Sequence, residues 1–261
     1  MPVERQLQQL SWPQLAKAAA QPGSTVVWPF GAVEQHGPHL PLGTDGLFAE
    51  RLLTAVLERL APELPIWRMP LQNLGFSPEH QGFAGTLSLP ATLLIDQIVA
   101  IGIQLAGYGF QRLVLFNAHG GQIGLLQVAA RELRARHPAM AVLPCFLWSG
   151  PPGVANLIPE PERQQGLHAG LAETSLMLHL AAELVGEERP CDGQPAAAAP
   201  PGWSLEGAVP NAWLTQDLSG SGVIGDARGA SAELGEQLHQ VLVQGWCQLF
   251  EGLLASDWPP R

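Results

Sequence analysis

The chain has 261 residues, 46% apolar and only 14% charged, which supplies a large core and excludes a disordered protein. Its formal charge of −10, with no basic run, excludes a nucleic-acid partner gripped through phosphates. Three scattered cysteines without a CxxC exclude a disulfide framework or a cysteine zinc site. There is no basic leader and no uninterrupted run of 18 apolar residues, so a cytoplasmic protein with no membrane span is expected.

In chain order, STVVWPF (24–30) reads as a buried strand stopped by Gly31. A polar loop follows, and then Leu47, Phe48, Leu52, Leu53, Val56, Leu57 and Leu60 recur at helical spacing. Thr44 is the expected N-cap of that helix, with Asp45 in a first turn that favours a carboxylate. PIWRMPLQ (65–72) predicts a second strand and 90–110 a helix ending at glycines. QRLVLFNAHGGQ (111–122) predicts a strand that stops at Asn117, and the helix after it is stopped by Pro138. AMAVLPCFLW predicts another strand, 170–185 and 230–255 predict helices, and Pro/Ala/Gly-rich 190–203 predicts a surface loop. Strands alternating with helices predict an α/β fold: a single three-layer α/β/α domain over 1–261 with a largely parallel central sheet. Ligands in such folds gather beyond the carboxyl ends of the strands.

Three polar clusters stand at those ends. Glu34, His36, His39 and Asp45 crowd into WPFGAVEQHGPHLPLGTDG (28–46), where prolines and glycines already suffice for the turn. His119 follows the third strand, beside Gly120 and Gly121. His168 and Glu173 lie five residues apart, about 140° around a regular helix. They converge only if His168 precedes the helix and Glu173 lies in its first turn. Two histidines and three carboxylates on one rim make a mixed nitrogen and oxygen site suited to zinc, manganese or iron. One bridging carboxylate would give a two-metal hydrolytic centre. The same residues also fit hydrogen-bonded loop side chains, and spacing alone leaves both readings open. A Rossmann-type nucleotide site is excluded, since no GxGxxG follows the first strand.

GAVEQHGPHLPLGTD, NAHGGQ and HAGLAETS resemble the three signatures of the creatininase family, and SPEHQGFAGTLSL (77–89) and 219–238 resemble further family segments in the expected order. The resemblance spans nearly the whole chain. It implies a metal-dependent hydrolase of cyclic or linear amides with two divalent ions (Zn, Mn or Fe), a small-molecule substrate and a homohexameric assembly. Carried over by position, it implies Glu34, His36, Asp45 and His119 as metal ligands, with Asp45 the bridge, and His168 as a proton-handling residue. Creatininase itself has a ligand glutamate where this chain has Gly121, which makes Glu173 the expected fifth ligand. His80, Gln122 and Trp148 are expected to line the substrate pocket, and His39 to brace the loop. The segment 148–166 keeps Trp148 but continues in Pro, Glu and Gln, which argues against creatinine as substrate. Other branches of the family act as a deformylase, a peptidase and a ketone hydrolase. The motif residues do not choose among them, nor do they exclude a non-catalytic metal-binding subunit.

Overall fold

The computed structural model describes residues 5–193 and 200–259. Its centre is a four-stranded parallel sheet of β1 (Thr25–Phe30), β2 (Ile66–Arg68), β3 (Arg112–Asn117) and β4 (Ala141–Phe146) in the order β2-β1-β3-β4. β1 and β3 register Thr25 with Arg112 through Phe30 with Asn117, so both end on one rim. The chain leaves β1 toward β2 on one side and returns to β3 on the other. The switch point of the sheet therefore lies between β1 and β3, where α/β folds hold their ligands.

Alternation along the strands builds two cores. Val26, Trp28, Phe30, Leu113 and Leu115 point to one face, where α3 (Ala91–Tyr108) and α4 (Ile123–Arg136) cover them. Val27, Val114 and Phe116 point to the other face. There α2 (Thr44–Arg59), α7 (Leu171–Leu180) and the C-terminal helix α9 (Ala232–Leu254) supply Phe48, Leu52, Leu176, Leu242 and Phe250. The three-layer α/β/α arrangement with a parallel sheet is as the alternating elements imply. Short helices α1 (Trp12–Ala19), α5 (Val154–Leu157), α6 (Glu160–Gln165) and α8 (Thr215–Leu218) fill the connections.

Some local expectations need correcting. α2 is preceded by Gly43 at its N-cap, while the Thr44 hydroxyl donates to the Pro41 carbonyl inside the first turn. The second strand is three residues long, because Pro70 has no N–H for the ladder; a bridge resumes only at Phe30 and Gln72. The helix expected to reach 185 stops at Leu180, whose carbonyl is taken by Arg51, and Gly186 N–H then turns to the His39 carbonyl. The loop expected over 190–203 contains β5 (Cys191–Asp192), paired antiparallel with β6 (Gly225–Asp226), and its residues 194–199 lie outside the described residues. α3, finally, is 18 residues of mean hydropathy 1.4, long and apolar enough by composition to cross a membrane. Its Leu94, Ile98, Val99 and Leu105 are instead buried in the sheet-facing core.

Candidate metal centre

The site starts at a close contact between backbones. A Cβ on Gly31, just past β1, would lie 2.5 Å from Gly46 N, so only glycine lets the strand end touch the first turn of α2. That contact brings the 31–43 loop over Asp45. Glu34 N–H donates to the Leu42 carbonyl at 3.0 Å and closes the loop, and Gln35 N–H donates to Thr86 Oγ1 at 3.1 Å. His36 sets its Nδ1 3.2 Å from the Glu34 carbonyl, which turns Nε2 inward to 3.4 Å from Asp45 Oδ1.

The second element is the end of β3. Asn117 clamps the turn after it: its Oδ1 accepts from His119 N–H at 3.0 Å and its Nδ2 donates to the His119 carbonyl at 2.7 Å. His119 Nδ1 then lies 3.2 Å from Glu34 Oε1 and 3.3 Å from Asp45 Oδ2. The third element is the start of α7. Gly170 is its N-cap, His168 precedes it and Glu173 lies in its first turn, where Glu173 Oε2 accepts from Ala169 N–H at 2.6 Å. Ala169 takes φ +54°, a left-handed conformation costing a residue with a Cβ about 1–3 kcal/mol. The turn is held despite that cost: His168 N–H donates to the Ile224 carbonyl at 3.0 Å, and its Nε2–H to the Gln35 carbonyl at 2.7 Å.

The structure thus brings together the six residues that the resemblance assigns to metal and proton, and leaves His39 outside them. Glu34, Asp45 and His119 form one group whose ligand atoms lie within 4.8 Å of one another, and His36, Asp45 and Glu173 form a second. Glu34, His36 and His168 form a third. The residues fit a metal: Glu34 Oε1 and Oε2, His36 Nε2 and Asp45 Oδ2 are buried with no hydrogen-bond partner. Buried charges persist where they are paired or coordinate a metal. The donor set, imidazole and carboxylate without thiolate, suits zinc, manganese or iron.

The electrostatics follow from this crowding. Burial pulls His36 down, but Asp45, Glu173 and Glu34 hold it up at about 9. His119 is likewise raised against its burial, by Glu34 and Asp45. Burial would lift Asp45, yet His36 and His119 keep its carboxyl well below the usual range. Burial raises Glu173 to about 7 against the pull of His36. His168 moves the other way: burial, then His80 and His36, hold it well below 6.5.

Of the expected pocket residues, Trp148 and His80 line a cavity of about 580 Å³ that opens over the centre. His80 is also committed structurally. Its Nδ1 accepts from Gln35 Nε2 at 2.9 Å and Thr215 Oγ1 at 2.7 Å, which leaves Nε2–H facing Glu34 Oε1 at 3.4 Å. Gln122 does not reach the cavity. It is fully buried, with Nε2 donating to Gly31 O and Asn117 Oδ1 and Oε1 accepting from Phe76 N–H, and so ties three site loops together. His39 joins Thr174 Oγ1 at 2.8 Å, bracing loop against helix. Sequence reasoning missed Glu79, which lines the cavity 3.5 Å from His119 Nε2; its signals were adjacency to His80 and a place in the 77–89 segment that resembles the family.

Glu173 offers a direct check on the second group. Glu173→Gln, which keeps an acceptor for Ala169 N–H, is expected to lower bound metal by about one ion per chain with an unchanged circular dichroism spectrum. Full occupancy by elemental analysis would remove Glu173 from the ligand set.

The creatinine amidohydrolase family model, Creatininase, matches residues 8–250. The chain is 36% identical over 227 residues to the mycofactocin precursor peptide peptidase of Mycobacterium tuberculosis, covering 84% of this chain and 81% of that one. It is 31% identical over 266 residues to the creatinine amidohydrolase of Pseudomonas putida, covering 97% and 96%. The solved structure described as Creatininase Mn superposes with a TM-score of 0.76 at 27% identity, covering 98% of this chain and all of that one.

Proposed function

This chain belongs to the creatininase family, and on that premise we propose that it is a metal-dependent hydrolase that cleaves a carbon–nitrogen amide bond with water. The observation that carries the reading is the sharing of Asp45 between two ligand groups, the buried Glu34/Asp45/His119 and a second in which buried His36 and Asp45 meet half-buried Glu173. A carboxylate with one oxygen toward His36 and the other toward His119 is built to serve two neighbours at once. Bound in these groups, two divalent ions would lower the pKa of a water to about 7 and polarise a carbonyl.

The protein's own side chains supply the rest. Glu34 and Asp45 bring the negative charge that holds cations in a buried place. His80, its Nδ1 already occupied, aims Nε2–H at Glu34 and keeps that carboxylate turned inward. His168 is the proton carrier: Gln35 pins its Nε2–H, and Nδ1 faces the centre, 3.9 Å from Glu34 Oε1. With Nε2–H pinned, the Nδ1 lone pair faces the centre and can accept a proton from the attacking water and pass it to the leaving nitrogen. Trp148, Pro151, Val154 and Ile158 give the cavity an apolar wall that shields the centre from water and receives the substrate's apolar part.

A peptide amide is the second reading, favoured by the 36% identity to a precursor peptide peptidase. At about 580 Å³ the cavity sits within the roughly 300–1,000 Å³ of sites for drug-sized ligands. The test loads chelator-stripped protein with manganese or zinc and assays lactams, formamides and short peptides side by side. Turnover that vanishes with chelator and returns with metal is expected for one class. Metal-replete protein inert toward every class would favour a non-catalytic subunit of the same fold.

A further inference from the structure

Gly121 is glycine for a reason that lies 42 residues away in the chain. A Cβ built on it would fall 1.7 Å from Glu79 Oε1 and 2.7 Å from His119 Nε2. The missing side chain is thus replaced by a carboxylate arriving from another segment. That segment is fixed in place: Ser77 is fully buried, its N–H donates to Ser88 Oγ at 2.9 Å, and a single helical turn runs from Pro78 to His80.

His119 is held from both sides of its ring. Nδ1 faces Glu34 and Asp45, as described above. Nε2 meets the Phe76 carbonyl at 3.0 Å, Ser77 Oγ at 3.2 Å and Glu79 Oε1 at 3.5 Å. A nitrogen among three oxygen acceptors carries a proton, which makes Nδ1, on the side of the two carboxylates, the nitrogen that would face an ion held there. Phe76 supplies the short hydrogen bond. At 3.5 Å, Glu79 supplies charge rather than a hydrogen bond. The ion pair with His119 is the one recorded for Glu79 in the described residues, and its side chain is 13% exposed. A carboxylate so placed has a purpose beyond solvation.

We infer that Glu79 is a positioning residue for the metal centre: it polarises His119 through Nε2–H, makes Nδ1 a stronger electron donor, and requires Gly121 to leave it room. Partners on the far nitrogen of a metal-bound histidine fix the tautomer and raise its basicity, and their loss typically weakens metal affinity by about 10–100-fold. The inference rests on the ligand reading proposed above and reaches one residue further out.

The test compares wild type with Glu79→Gln, nearly the same shape without the charge, and Gly121→Ala, which crowds the carboxylate out. Manganese and cobalt dissociation constants are measured by chelator competition, the visible d–d bands of the cobalt forms are recorded, and folding is checked by circular dichroism and melting in chelator. The expected result is a Glu79→Gln protein that melts like wild type, binds the more sensitive of its ions about 10–100-fold more weakly, and shows displaced cobalt bands. Gly121→Ala should weaken binding at least as much. A Glu79→Gln constant within twofold of wild type, with unchanged bands, overturns the inference: Phe76 alone would then suffice. If wild type itself binds neither ion, the ligand assignment fails first and takes this inference with it.

Discussion

Asp45→Ala is expected to abolish metal binding at both positions, the largest single effect available in this protein. Glu34 and His36 also fall in two groups each, but Asp45 is the carboxylate that turns a separate oxygen to each of two histidines. Removing Glu173 strikes one group, whereas Asp45 stands between His36 and His119, 3.4 and 3.3 Å from their inner nitrogens. Elemental analysis of the purified variant should find no stoichiometric manganese, zinc or iron, and hydrolysis should vanish with it. Retention of even one ion per chain would show that Asp45 is not the bridge.

The same variant carries a second signature in chelator. Without metal, Asp45 neutralises buried imidazolium, and breaking a buried pair costs about 3–5 kcal/mol. His36, raised to about 9, contributes that stability in full below 6.5 and loses it as pH climbs through about 9. Asp45, lowered from 3.8, contributes above that value and loses its share as the pH falls further into acid. The melting-temperature gap between wild type and Asp45→Ala should accordingly be widest between pH 4 and 6.5 and close on the alkaline side. A gap that widens above pH 9 would contradict the pairing.

His168→Ala is expected to split binding from chemistry: metal content at the wild-type level, turnover lower by about 10²- to 10⁴-fold, the usual contribution of a positioned acid or base. Geometry makes this an exposed claim, because His168 also falls within a group of potential ligand atoms with Glu34 and His36. Two arguments place it with the chemistry. Glu34 and His36 are each already committed to another group, and a hydrolytic metal keeps a position open for water and substrate. Moreover, Gln35 holds its Nε2–H at 2.7 Å, which leaves a neutral acceptor facing the cavity. His168→Ala protein that loses an ion by elemental analysis would move this residue into the ligand set.

The layers and the rim were legible because they rest on local pattern. Continuous apolar runs such as LVLF announce strands buried on both faces, and the halt at Asn117 marks the rim. The convergence of His168 and Glu173 was legible for a similar reason, since a helix that starts at Leu171 is the arrangement that lets both face one point. Gln122 was misread because its neighbours in sequence, His119 and Gly121, belong to the site. Besides Asn117 in its own motif, its partners are Gly31 and Phe76, which no spacing in the chain connects to it. Glu79, though inside the quoted 77–89 segment, could not be given a role on the same ground. Its place is defined by the hollow beside Gly121, a property of packing and not of sequence. His80 was legible as a site residue but not in its bonding, which depends on Thr215, 135 positions downstream.

The contact between Gln35 and His168 joins positions 133 apart. Every group that could grip an ion here draws on segments far apart in the chain, from the loop after β1 to the end of β3 or the start of α7. During synthesis, then, no length of emerging chain short of His119 offers any of these groups, and none short of Glu173 offers both that share Asp45. This is the reverse of a zinc finger, where neighbouring residues seize the ion and the ion makes the fold. Here the ligands are gathered by long-range packing, so an ion would find its full grip late in folding, and the ions then at hand would compete for it. The identity of the metal in a purified sample would therefore record the ionic composition of the host cell as much as the preference of the protein.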